Sequence, residues 1–137
     1  MVSQKKLAVR VGVAAYGANE RSAWAMALTR SGATTHLWDI EGSVPTLSLD
    51  VWFVVLSPWM PPLKHLSWLR QLTAPTLLVS SHGPRALQAS KLISYPVLVS
   101  SPKIAWNSFH DLIEILLDIH TGKVLLRDEG APYTLIE

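Results

Sequence analysis

Short runs of almost unbroken apolar residues alternate along the chain with longer segments in which apolar residues return every three or four positions. That is the pattern of buried strands separated by amphipathic helices. The first run, KLAVRVGVAAY from Lys6 to Tyr16, is apolar enough for a central strand covered on both faces. A helix is predicted in GANERSAWAMALTRSG, with Asn19 as N-cap, a stripe of Ala23, Met26, Ala27 and Arg30, and Gly32 placed to end it. TTHLWDI, Thr34 to Ile40, reads as a second strand, and DVWFVVL, opened by Asp50, as a third. Between them Gly42 and Pro45 leave room for one turn of helix at most. Beyond the loop SPWMPP, Leu63, Leu66, Leu69 and Leu72 fall at helical spacing, with Pro61 and Pro62 near the first turn, where proline is tolerated. APTLLVSS is a fourth strand, GPRALQASKLI a short helix and YPVLVSS a fifth strand. A last helix, Ile104 to His120, turns Phe109, Leu112, Ile113, Leu116 and Leu117 to one side, and Gly122 stops it.

Strands that alternate with helices pair in parallel through right-handed crossovers, so the expected fold class is α/β with three layers. Five strands and about four helices fit a flavodoxin-like sheet of order 2-1-3-4-5, its second helix short or missing. Residues 1–122 read as one domain, and residues 123–137 as a tail, either an added edge strand or a linker into another domain. No repeat of 20 to 50 residues is visible.

Composition narrows the function classes. The chain has 137 residues, 49% of them hydrophobic and only 16% charged. Such a sequence buries an extensive interior or keeps an apolar face for a partner. Its six tryptophans favour core packing first and interface contact second. Twelve basic residues against ten acidic ones are scattered singly apart from Lys5 and Lys6, which argues against a surface that tracks nucleic acid. There is no cysteine, which excludes disulfides and thiolate metal sites. VWFVVL, the longest apolar run, falls far short of the roughly 18 residues of a membrane span, and MVSQKK leads into no cleavable leader. The expectation is a cytoplasmic domain without direct membrane contact.

The strand endings carry a resemblance. DVWFVVLSPWMPP resembles the receiver domains of two-component signalling, in which an acidic residue opens the third strand and a phosphoacceptor aspartate stands three residues before Met-Pro. Met60 and Pro61 match, which puts Ser57 at the acceptor position. PTLLVSSHG resembles the receiver stretch ending in Thr-Ala-His, with Ser80 at the switch hydroxyl and His82 in the next loop. YPVLVSSPKI resembles the stretch ending in Ser-Lys-Pro, with Pro102 kept and Ser101 where the lysine belongs. The paired acids that hold magnesium in that family would fall near Ala15 and Tyr16. The resemblance covers Leu7 to about Thr121. It implies a degenerate, or pseudo-receiver, domain of the kind inserted in hybrid sensor histidine kinases or found in atypical response regulators. A working receiver needs a carboxylate nucleophile, acids around a hard cation and a lysine against the phosphoryl oxygens. Here hydroxyl, alkyl and phenol groups stand in those places, so the resemblance implies no phosphoryl acceptance, no cofactor, no metal and no enzymatic activity.

Ser57, Ser80, Ser81, His82, Ser100 and Ser101 are expected along the carboxyl edge of the sheet. They cap loops in the simplest reading; with Arg85 and Lys103 they offer an alternative, an anion or small-molecule site. A Ser-His catalytic pair lacks both a G-x-S-x-G elbow and an orienting carboxylate. His36, His65, His110 and His120 are dispersed and form no His-His pair at i, i+4. YGANERSA has no nucleotide-loop pattern, and Asp39, Glu41 and Asp50 read as solvated turn residues. Trp59, Trp68 and Trp106 are candidates for partner contact. By the resemblance, so is the face of the fourth helix, fifth strand and fifth helix, which includes Lys91, Tyr95, Trp106 and His110. The expected partners are histidine kinase or receiver domains, in the same polypeptide or beside it, and a second copy of the chain.

Overall fold

The computed structural model describes residues 8–15, 17–39, 48–56, 63–120 and 134–136. Five strands lie parallel: β1 (Arg10–Ala15), β2 (Thr34–Asp39), β3 (Val51–Leu56), β4 (Thr76–Ser80) and β5 (Val97–Ser100). Their order is β2-β1-β3-β4-β5, the flavodoxin-like order. β6 (Thr134–Ile136) adds to β5 in antiparallel register, with Leu98 opposite Leu135. The predicted short or missing second helix falls between β2 and β3, where residues 40–47 lie outside the described residues.

Period-two alternation explains why the strands read as continuous apolar runs. Along β3 every residue is buried, with Val51, Phe53 and Val55 turned to one face and Trp52, Val54 and Leu56 to the other. On the first face they meet α1 (Ala18–Arg30) and α3 (Pro102–His120) through Trp24, Ala25, Leu28, Ala105, Leu112, Ile113 and Leu116. On the second they meet the short helix α2 (Gly83–Ser90) and a 3₁₀ helix spanning Leu63–Gln71.

Three local expectations are corrected. The buried side of α1 is Trp24, Ala25 and Leu28, not the stripe of Ala23, Met26, Ala27 and Arg30; Met26 is 56% exposed. Trp24 and Leu28, four residues apart, bring far more apolar area than alanines do, and area decides which side of an alanine-rich helix goes inward. Asn19 lies inside α1, and Gly17 is the N-cap. The leucine segment after the third strand is a 3₁₀ helix, not an α-helix. Its leucines recur every three residues, and three residues per turn is the 3₁₀ period, so Leu66, Leu69 and Leu72 align along one edge and all are buried.

Gly32 and the last helix match the reading. Gly32 sits at φ 102°, donating to the Thr29 carbonyl at 3.0 Å while Ala33 donates to Leu28 at 3.1 Å, the paired closure that favours glycine past a helix end. α3 buries Leu112, Ile113 and Leu116 fully and packs Phe109 and Leu117 against the same core. It departs from helical geometry at Ser108, φ −135° and ψ 16°. Trp24, Trp38 and Trp52 are core, Trp68 is half-buried and Trp106 is 51% exposed.

Gly12 makes a close approach possible. A Cβ there would lie 2.6 Å from Leu49 Cδ1 and 2.7 Å from the Trp52 ring. The missing side chain lets the Trp52 indole lie down on β1, where Trp38 meets it edge-on at 6.0 Å and Trp68 meets Trp38 at 4.9 Å. This indole cluster covers the sheet around β1, β2 and β3 on the α2 side.

Candidate functional site

Parallel strands deliver their last residues to one rim. Ala15 is level with Asp39 and Val55, Leu56 with Ser80, and Val79 with Ser100. Crossovers in such sheets leave a crevice outside this rim, which is where ligands and chemistry are placed. The receiver-like positions Ala15, Ser80 and Ser101 therefore gather there, as strand endings or the residue just after one. Tyr16, Ser57 and Trp59 lie outside the described residues.

Ala15 is fully buried and its side chain packs in the α1/α3 core. Its carbonyl oxygen accepts a hydrogen bond from the Arg21 guanidinium at 3.2 Å. The end of β1 thus presents an alkyl group and a neighbouring cation. Glu20, beside Arg21 on the first turn of α1, has its carboxyl pKa raised by partial burial.

The serines are engaged within their own loops. Ser80, 3% exposed, accepts the backbone N–H of His82 at 3.0 Å, a bond that shapes the turn into α2. Ser100 donates to the Ser101 carbonyl at 3.0 Å, and the Ser101 hydroxyl accepts from the N–H of Ile104 at 3.3 Å, at the start of α3. The last is an N-capping contact, satisfying a donor that the first helical turn leaves unpaired. Ser81, His82, Arg85 and Lys103 are exposed on the same rim.

Asp50 proves to be more than a solvated turn residue. Its carboxylate accepts the N–H of Arg10 at 2.8 Å and lies 3.8 Å from the Arg10 Nε, while its own N–H donates to the Arg10 carbonyl. These contacts pin the start of β3 to the start of β1, at the amino edge, away from the rim.

The proposed partner residues divide between surfaces. Trp68 packs on Trp38 on the 3₁₀ side, whereas Trp106 meets Trp24 edge-on at 4.9 Å on the α1/α3 side. Lys91 is exposed after α2, and Tyr95 approaches His120 at 5.9 Å between ring centres. His110 is half-buried, with its Nδ1 3.9 Å from Glu114 and 4.0 Å from Asp111. Scanning for paired histidines misses this group; a His-x-x-x-Glu spacing on one helix is the signal that finds it. Its three ligand-type atoms lie within 4.8 Å of one another.

No protein-family model matches the chain, and no curated protein matches it. Among solved structures it is similar to NtrX from Brucella abortus, crystallised in complex with ADP, a response regulator with a receiver domain. The likeness has a TM-score of 0.61 at 16% identity and covers 85% of this chain. The chain spans 28% of that protein's length. The likeness establishes a receiver-like, flavodoxin-like fold. Among the described residues, no helix is long and apolar enough to cross a membrane.

Proposed function

We propose that the chain is a pseudo-receiver: a signalling module of receiver fold that accepts no phosphoryl group, catalyses no reaction and acts by contact with histidine kinase or receiver domains in the cytoplasm, whether in its own polypeptide or beside it. The carrying observation is the end of β1, where buried Ala15 and the Arg21 guanidinium on its carbonyl occupy the place at which the family resemblance expects acids around magnesium. A guanidinium there opposes a divalent cation by charge, and without the cation no metal bridges the transferring phosphoryl group to its acceptor. Ser57 in the acceptor position reinforces the reading, because an alcohol cannot form an acyl phosphate.

The test is to incubate the full chain with acetyl phosphate and magnesium and to record its intact mass. The expected result is an unchanged mass. A phosphoryl adduct labile to hydroxylamine would overturn the reading. Contact is tested by co-sedimentation with histidine kinase and receiver domains encoded near it, and failure to bind any of them would remove the proposed mode of action.

A further inference from the structure

The two edges of the sheet are treated differently. Among the described residues, β5 is closed by β6, whereas β2 pairs with β1 alone. The N–H of Thr34 donates to the Val9 carbonyl at 2.9 Å, so the main-chain groups of Thr34, His36 and Trp38 face β1. By alternation those of Thr35, Leu37 and Asp39 face outward, away from the sheet. An open edge is ordinarily blunted by lysine, proline, a bulge or an inward-pointing charge. From Thr34 to Trp38 there is no formal charge and no proline.

Beside this edge, one side of α1 and the strand enclose an open groove of about 450 Å³, lined by Ser22, Ala25, Met26, Thr29, Arg30 and Leu37. Met26 and Leu37 are each 56% exposed, two of the few large apolar side chains that the described residues leave in water.

We propose that β2 is a dimerisation edge whose occupant is β2 of a second copy, running antiparallel about a two-fold axis at Leu37. Three features favour a second copy. Centring the axis on Leu37 sets that side chain opposite its own counterpart, so the most exposed apolar residue of the strand meets an apolar partner. The same register makes Leu37 and the Thr35/Asp39 positions the hydrogen-bonded pairs, so the outward-facing main-chain groups find partners on both strands. It also brings Asp39 level with Thr35 of the second copy, and Thr35 is hydrogen-bonded at 3.0 Å to Thr29, next to Arg30 at the end of α1. The register therefore sets an acidic position of one copy beside the basic end of α1 of the other. A six-residue strand and one helix side make a small interface, so the dimer is a weak one. The inference is independent of the pseudo-receiver reading, since it uses neither the rim nor its serines.

The absence of cysteine from the chain allows a direct test. In a hydrogen-bonded antiparallel pair the two Cα atoms stand about 5.5 Å apart, inside the range of about 4.4–6.8 Å that a disulfide spans. Leu37→Cys in the full chain should therefore cross-link to a dimer under mild oxidation. Leu87→Cys, an exposed control on α2, should not. The unmodified chain should sediment faster as its concentration rises from micromolar to millimolar, and Leu37→Glu, with an unchanged circular dichroism spectrum, should stay monomeric throughout. Cross-linking at Leu37 no faster than at Leu87 would overturn the proposal. So would a concentration-independent monomer, or a dimer that survives Leu37→Glu.

Discussion

The two faces of the sheet are covered by different means. On one, two long helices, α1 and α3, lay down leucine, isoleucine and alanine around the single indole of Trp24. On the other, a 3₁₀ helix, a short α2 and three indoles share the work. The first face needs only apolar residues at helical spacing, and many sequences satisfy that. The second depends on one glycine, because Gly12 alone gives Trp52 room to lie against β1. The contrast teaches that large side chains can cover a sheet face where regular helices do not, at the cost of stricter demands on the strand beneath them.

The sharpest way to break this comparison is to remove one buried leucine from each face. Leu112→Ala in α3 and Leu69→Ala in the 3₁₀ helix both empty fully buried positions, and each should lower unfolding free energy by about 2–5 kcal/mol in urea titrations. A loss below about 1 kcal/mol at Leu69 alone, less than a typical large-to-small core change, would show that the 3₁₀ cover is loosely held. Next in size, Gly12→Ala should cost about 1–3 kcal/mol by overpacking, and its near-ultraviolet circular dichroism should change as the Trp52 ring is displaced. Trp38→Phe sharpens the account of the cluster. Among the described residues, the buried indole N–H groups of Trp38 and Trp68 have no hydrogen-bond partner. Such an unpaired donor costs about 1–3 kcal/mol, so its removal should offset most of the lost ring contact and leave stability within about 1 kcal/mol of the parent. A much larger loss would reveal an acceptor at that nitrogen.

The smallest expected effect is at Glu20 on the regular face. Burial raises the pKa of its carboxyl, so the folded state holds the proton more tightly than the unfolded chain does. The stabilisation from that proton is complete below the unfolded pKa and is lost as pH rises through the folded one. Glu20→Gln should therefore raise the melting temperature slightly at pH 7 and leave it unchanged in acid below about pH 4, where the unfolded glutamate is itself protonated.

The strands were plain in the amino-acid pattern because sheets covered on both faces demand continuous apolar runs, and VWFVVL has every residue buried. The direction in which α1 faces was not plain. Ala18, Ala23, Ala25 and Ala27 make several stripes equally good by periodicity, and only the added area of Trp24 and Leu28 selects one. Equal spacing of leucines by three signals a helix of either type, because i, i+3 contacts occur in both, whereas a run sustained at three without fours belongs to the tighter one. At the rim, the positions of Ala15, Ser80 and Ser101 followed from strand endings alone. The Arg21 contact did not, since it depends on how the first turn of α1 folds back over β1.

The tighter helix also settles a matter of reach. Nine residues advance about 18 Å at 2.0 Å per residue in a 3₁₀ coil, against about 13.5 Å in an α-helix. A strand of five or six residues is about 17–20 Å long, and the chain must travel back by that distance before β4 can begin. The leucine ladder therefore covers about a strand's length in nine residues, where an α-helix of as many would fall about 4.5 Å shorter.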